Sequence, residues 1–254
     1  MAFVKQLQYL ALKPAKRWLR PWQSLYFGDI RVSYKRHLDG GGSTFGQNYI
    51  PLLHDCGMPP PARVFEWCSG PGFIGFSLLA HGLCETLCLA DINPEAVDAC
   101  RRTVAENRLA NRVSVYQSDN LESISSSERW DLVVGNPPHF DWSPETGDVR
   151  VCDPGWNIHR RFFASVGRFL KPNGVILLQE NNRGSTASTF SRMIEEFGFA
   201  TVLVHNCEPR LTPYTRHYYL GVMRRGDMPP TWLAAVGRVA SKVTPKDTAR
   251  VIND

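Results

Sequence analysis

Arg63-Val64-Phe65-Glu66-Trp67-Cys68-Ser69-Gly70-Pro71-Gly72-Phe73-Ile74-Gly75 is the stretch that decides the fold, because a short apolar run ends at a carboxylate and opens at once into a glycine-spaced turn. Phe73, Ile74, Phe76, Leu78 and Leu79 then recur at near-helical spacing, and Gly82 beyond them is a natural left-handed stop. The order is strand, turn, helix. Glycines at such a turn let the backbone approach a ligand while the free N–H groups of the helix start point at it. A nucleotide-like cofactor is the usual occupant. Taken alone, Gly70 and Gly72 fit a tight connection in any α/β fold equally well.

The following strands separate these readings. The run over 87–90 ends in Asp91, roughly 20 residues beyond the glycines, where an acidic side chain accepts hydrogen bonds from ribose hydroxyls. Asp119-Asn120 follows the next strand, and Asn136-Pro137-Pro138-His139 follows the one after that. Four features thus fall in order on successive strand ends.

At 254 residues and 43% hydrophobic content the chain is long enough for one substantial core, which predicts one α/β domain with a short extension. No apolar run reaches the roughly 18 residues of a membrane-spanning helix, and the N-terminus lacks the features of a secretion signal, so a soluble, cytoplasmic protein is expected. The seven cysteines are scattered without a Cys-x-x-Cys pair, and the histidines show no metal-ligand spacing. Reduced core thiols and no metal are expected; a reactive thiol at Cys68 is the sharper alternative.

There are 29 Lys and Arg against 24 Asp and Glu, and residues 1–28 hold Lys5, Lys13, Lys16, Arg17 and Arg20 with no acid. The whole net charge of +5 therefore lies in this arm. This argues against a domain coated in positive charge for nucleic acid, while leaving a local basic contact open. Pro14 and Pro21 divide the arm, predicting two short amphipathic helical pieces. Packing of the arm on the domain, organelle targeting and a membrane-surface role are the alternatives.

A strand is predicted over 30–34, and Leu38-Asp39-Gly40-Gly41-Gly42-Ser43-Thr44-Phe45-Gly46 reads as a flexible loop, either a linker or a cover over the cofactor. From residue 63 onward strands and helices alternate through short connections, the signature of a parallel sheet covered on both faces. Asn93-Pro94-Glu95 supplies a cap, a first-turn proline and an acid at the positive end of a helix. Strands are expected over 113–116, 130–134, 175–178, 201–204 and 218–222, with helices over 158–170 and about 190–197. The division expected is a basic arm and Gly-rich loop over 1–44, the main domain over 45–226 and a peripheral tail over 227–254.

Together, Glu66 to Gly75, Asp91, Asp119 and Asn136-Pro137-Pro138-His139 resemble the class I S-adenosylmethionine-dependent methyltransferases. The likeness is to those with an Asn-Pro-Pro motif, such as release-factor glutamine N5-methyltransferases and base amino-methyltransferases, and covers about residues 45–223. It implies a Rossmann-like methyltransferase fold, α/β, with a seven-stranded mostly parallel sheet, helices on both faces and a short N-terminal helical arm. It also implies that Glu66, Gly70 and Gly72 line the methionine part of S-adenosyl-L-methionine, that Asp91 holds the ribose, and that Asp119 and Asn120 meet the adenine edge. Cys68 and Ile92 join this cofactor-binding set. Asn136, Pro137, Pro138 and His139 form the catalytic loop, with Phe140, Trp156 and His159 expected at the acceptor. His139 stands where the family has Tyr or Phe, and the chain lacks room for the helical N-terminal domain of the release-factor enzymes.

The loop chemistry is legible from the residues themselves. An amide or exocyclic amine is a poor nucleophile because its lone pair is delocalised, and the Asn136 side-chain carbonyl with the Pro137 backbone carbonyl can accept its two N–H bonds. Such bonds favour localising density on nitrogen and set the geometry of attack. A rigid strand-closing turn is the bland reading of the same residues. His139 is a base, a donor to substrate, or a ring in place of the usual aromatic. The segments 156–161 and 214–217 are further candidates for shaping the acceptor pocket. The expected activity is N-methylation of a planar amide or amino nitrogen on a protein side chain, a nucleobase or a small molecule. The rivals are intramolecular alkylation releasing methylthioadenosine and a silent cofactor-binding subunit of an RNA-modification or translation complex. Oligomeric state is not legible.

Overall fold

The computed structural model describes residues 22–142, 149–206, 217–233 and 249–251. The first element described is an antiparallel hairpin, Gln23–Phe27 (β1) with Ile30–Tyr34 (β2). This corrects the helical reading of the arm for residues 23–27; the basic residues 1–21 lie outside the described part. The Gly28-Asp29 link is a two-residue turn whose first residue, Gly28 at φ +50°, takes the left-handed conformation that tight hairpin turns require. The loop expected over 38–46 contains a short helix, Gly42–Phe45 (α1), followed by Tyr49–Asp55 (α2). Asp39 orders its glycines: Oδ1 accepts the Gly41 N–H at 2.9 Å and the Ser43 N–H at 3.3 Å.

The alternating elements follow as expected. They are Arg63–Trp67 (β3), Phe73–Ala80 (α3), Thr86–Asp91 (β4), Pro94–Glu106 (α4), Val113–Gln117 (β5) and Trp130–Gly135 (β6). Then come Asn157–Val166 (α5), Leu170–Asn181 (β7), Ala187–Glu196 (α6), Phe199–Asn206 (β8) and His217–Arg224 (β9). The sheet order is β5-β4-β3-β6-β7-β9-β8, with β9 antiparallel to both neighbours. The chain therefore has the Rossmann-like methyltransferase fold, with a mixed, mostly parallel sheet.

Burial on both faces explains why the central strands run apolar without alternation through Val64 and Phe65, Leu132 to Val134 and Val175 to Leu178. Val64, Leu132 and Leu177 point to one face, while Phe65, Val133 and Leu178 point to the other, and each face has its own core cluster. Helices α3 and α4 pack on the first face, α5 and α6 on the second. Every residue of α3 from Phe73 to Leu79 is buried because the β1–β2 hairpin covers the side that faces away from the sheet.

Two boundaries differ from expectation. The helix expected over 158–170 stops at Val166, and β7 begins at Leu170 rather than 175. The cause is distant in sequence: the Arg224 guanidinium donates to the carbonyls of Gly167, Leu170 (2.7 Å) and Lys171 (3.1 Å), which closes the helix end and starts the strand. The tail is not wholly peripheral, since Leu233 is buried in the first core and Ala249–Val251 (β10) pairs with β1. Among the described cysteines Cys56, Cys84, Cys88, Cys100 and Cys152 are buried; Cys207 lies outside the described residues. Among the described residues no helix is long and apolar enough to cross a membrane.

Candidate active site

A cavity of about 510 Å³ opens at the carboxyl ends of β3, β4, β5 and β6, the place where open α/β sheets bind ligands. Its first wall is the glycine turn. Gly72 has φ +81°, and an added Cβ there would stand 2.8 Å from the Phe76 ring, so both conformation and space demand glycine. Glu66 does not hang free in the cavity. Its Oε2 accepts the Gly75 N–H at 2.7 Å and its Oε1 the Ile74 N–H at 3.3 Å, a carboxylate set on the unsatisfied start of α3. Burial pushes its carboxyl up to about 8, against those two backbone bonds.

Asp91 is shared in the same way. Oδ2 accepts the Gly70 N–H at 2.7 Å and Oδ1 the Asn93 N–H at 2.9 Å, so one carboxylate ties the glycine turn to the cap of α4. Each oxygen keeps a second lone pair for a hydroxyl. Ile92 beside it is 61% exposed, an apolar side chain at the rim of a cavity that it also lines. Asp119 pairs with Arg161 at 3.0 Å. Asn120, at φ +56°, donates from Nδ2 to the Ile158 carbonyl at 2.8 Å, leaving its buried Oδ1 without a partner among the described residues. An unpartnered acceptor beside a carboxylate that keeps one lone pair on each oxygen fits a ligand that carries both ribose hydroxyls and an amino-bearing ring.

The opposite wall is the loop after β6. The Tyr49 hydroxyl, completely buried, lies 3.0 Å from the Gly135 carbonyl and 2.9 Å from that of Leu177, pinning the strand end that launches Asn136. Asn136 Oδ1 is itself buried and has no partner among the described residues. His139 Nδ1 lies 3.2 Å from the Pro137 carbonyl, and burial holds the ring below the usual histidine range, so it is neutral near pH 7. The loop is fastened from outside: the N–H groups of His139 and Phe140 both donate to the Val151 carbonyl, and Asp153 N–H donates to the Phe140 carbonyl at 2.8 Å. Gly184 allows the closest approach, because a Cβ there would fall 1.8 Å from the His139 carbonyl oxygen.

The cavity brings together Glu66, Cys68, Gly70, Asp91, Ile92, Asp119 and Asn120 on one side with Asn136, Pro137, Pro138 and His139 on the other. Gly72 shapes the turn without lining it. Three residues expected at the acceptor do not reach the cavity. Phe140 is 8% exposed and stacks on Trp142, His159 is fully buried, and Trp156 packs edge-on against His159 and Phe190. Of the segment over 214–217 only His217 is described, and it is buried. Cys68 is pushed well above the usual thiol range, by burial first and Asp91 second, which leaves it unreactive. Leu38, Gly40 and Gly42 line the cavity, so the glycine loop does lie against it, and Arg150 lines it from across while donating to the His37 carbonyl. Tyr49 and Arg150 carried no local signal, since only the fold places them there. Among the described residues no group of His, Cys, Asp and Glu gathers to hold a metal ion.

A family model described as the methyltransferase small domain matches residues 52–208. The release factor glutamine methyltransferase of Clostridium acetobutylicum is 30% identical over 154 residues, covering 55% of this chain and 53% of that one. The ribosomal RNA small subunit methyltransferase C of Shewanella denitrificans is 28% identical over 169 residues, covering 66% and 43%. The chain thus spans about half the length of these curated relatives. Among solved structures, a 16S rRNA N2 methyltransferase of T. thermophilus in complex with AdoMet and guanosine superposes with a TM-score of 0.55 at 15% identity, covering 81% of this chain and 51% of that one.

Proposed function

The chain belongs to the methyltransferase small-domain family and is an S-adenosylmethionine-dependent methyltransferase, and from that premise we propose that it methylates the nitrogen of a planar amide or amino group. The unpartnered Asn136 Oδ1 carries this reading. Leaving a buried acceptor unpaired costs about 1–3 kcal/mol, and the cost is offset when a substrate N–H arrives. The Pro137 carbonyl, with one lone pair facing His139 Nδ1, offers its second to the other N–H.

The cofactor supplies an electrophilic methyl on sulfur. The chain's residues do the rest. Glu66 holds the start of α3, and Asp91 with Asn120 provides acceptors for ribose and adenine. Asn136 and Pro137 take both N–H bonds of the acceptor, which turns its lone pair toward the methyl and excludes water from the reacting face. Methyl transfer from the bound cofactor would leave the nitrogen with one N–H proton to lose, released to solvent as the product departs. The neutral His139 ring stands at the loop as a flat surface with one unprotonated nitrogen, and no strong base is needed for a proton made acidic by the transfer. The relatives named for a glutamine and for ribosomal RNA both support a planar nitrogen as acceptor, on protein or on RNA. The test is incubation with radiolabelled cofactor and a cell extract, fractionated into protein, RNA and small molecules. Label should enter an N-methyl group with release of S-adenosylhomocysteine; release of methylthioadenosine without transferred label would overturn the reading.

A further inference from the structure

Behind the acceptor loop lies a buried polar chain that none of the foregoing roles uses. Asp153, His159 and Glu180 are all fully buried. His159 Nδ1 stands 2.6 Å from Asp153 Oδ2 and its Nε2 3.0 Å from Glu180 Oε1, so each ring nitrogen faces a carboxyl oxygen. Asp153 also takes the N–H groups of Ile158 (2.7 Å) and His159 (3.1 Å), capping α5, and gives its own N–H to the Phe140 carbonyl. The rings of Phe190, Trp67 and Trp156 enclose the imidazole. A buried ionic chain among aromatics is poor stabilisation compared with an apolar filling, so its retention points to what it connects.

It connects both ends of the loop to one strand. Gly135, at the loop's start, pairs with Leu178 of β7, and the loop's end reaches Glu180 of the same strand through Phe140, Asp153 and His159. We propose that Asp153, His159 and Glu180 form a proton-bridged clamp that sets the acceptor loop 136–140, with His159 its central positioning residue. The clamp deepens the acceptor reading given above and rests on it only for its catalytic consequence. Both bridges need a hydrogen, so the cluster must keep two on its bridging atoms, either both on the imidazole or one on Glu180. Burial opposes charge on His159, yet Glu180 and Asp153 outweigh it and raise the ring to about 9. The other titratable groups around the cluster are Cys68, Tyr49 and Tyr218, all pushed up by burial, and His139, pushed down by burial. These remain neutral near pH 8, so the bridge should open as pH rises through about 9.

Amide hydrogen exchange on the full chain tests the clamp without any acceptor. In His159→Phe, which keeps a ring and removes both bridges, exchange at Phe140 and Asp153 should accelerate about tenfold or more, while Gly75, held by Glu66, should not change. Acceptor turnover should fall about tenfold with S-adenosylmethionine affinity within about twofold. Glu180→Gln, which lets a neutral imidazole keep its second contact, should remain folded and remove the rise in Phe140 exchange above pH 9. If loop exchange is unchanged in His159→Phe, or if that variant does not fold and Glu180→Gln keeps the alkaline rise, the clamp is wrong. Faster loop exchange with unaltered turnover would support the clamp and overturn the acceptor reading instead.

Discussion

The β3–β4 side and the β6 side of the cavity are built on opposite principles. On the β3–β4 side every carboxylate oxygen that lines it is already engaged by backbone: Glu66 with Ile74 and Gly75, Asp91 with Gly70 and Asn93. On the β6 side the central side chain, Asn136, has an acceptor with no partner among the described residues, and the surrounding bonds hold the loop rather than that atom. One wall is a frame whose polar groups shape the backbone and meet a ligand with what remains. The other keeps one strong acceptor bare. The contrast holds between these two sides alone: at the end of β5, Asn120 Oδ1 is likewise buried and unpartnered among the described residues, an acceptor that a ligand N–H completes as one completes Asn136.

The sharpest way to break this contrast is Asn136→Ala. It should lower turnover by about 100-fold or more while leaving cofactor affinity nearly unchanged, as for loss of one preorganised polar partner. Single-turnover rates at saturating cofactor check it, and a fall in cofactor affinity without a fall in rate would place Asn136 on the wrong wall. Next in size, Asp91→Ala removes a charged acceptor worth roughly 1.5–3 kcal/mol and should weaken S-adenosylmethionine at least about tenfold. Calorimetry on the folded variant measures this. Because Asp91 also ties Gly70 to Asn93, some thermal stability should go with it.

Smaller effects sharpen the comparison. Tyr49→Phe removes a hydroxyl from the carbonyls of Gly135, at the end of β6, and of Leu177, within β7, and should cost about 1 kcal/mol of stability, with a larger effect on turnover than on cofactor affinity, since these bonds touch neither β3 nor β4. Denaturant midpoints and the two constants decide it. The pH dependence of Glu66 gives the mildest test. Its folded value, about 8, lies above the ordinary 4.5, so the stability it contributes is full below about pH 4.5 and is lost as pH rises through about 8. Glu66→Gln should abolish this part of the slope, seen as a difference in melting temperature between the two proteins that shifts against the wild type from pH 5 to 8.

The sequence by itself determined the alternation of strands and helices from residue 63, the glycine turn, and the order of Glu66, Asp91, Asp119 and Asn136 on successive strand ends. These are local facts: period, caps such as Asn93 with Pro94, and residues whose backbone needs show in their type. What only the tertiary structure decided is which neighbours meet. The Gly28 turn that makes residues 23–27 a strand was written locally, yet the strand is stable because α3 presents a second apolar side for it to cover. Arg224 ends α5 from 57 residues away. His159 looked like an acceptor-site residue because it stands at a helix start near the right strand ends. Its ring turns instead into the interior, toward Asp153 and Glu180, since helix periodicity places it with Phe162, Phe163 and Val166 on the face that packs against the sheet. Spacing says which face of an element is inward, but only packing says which polar partners will be waiting there.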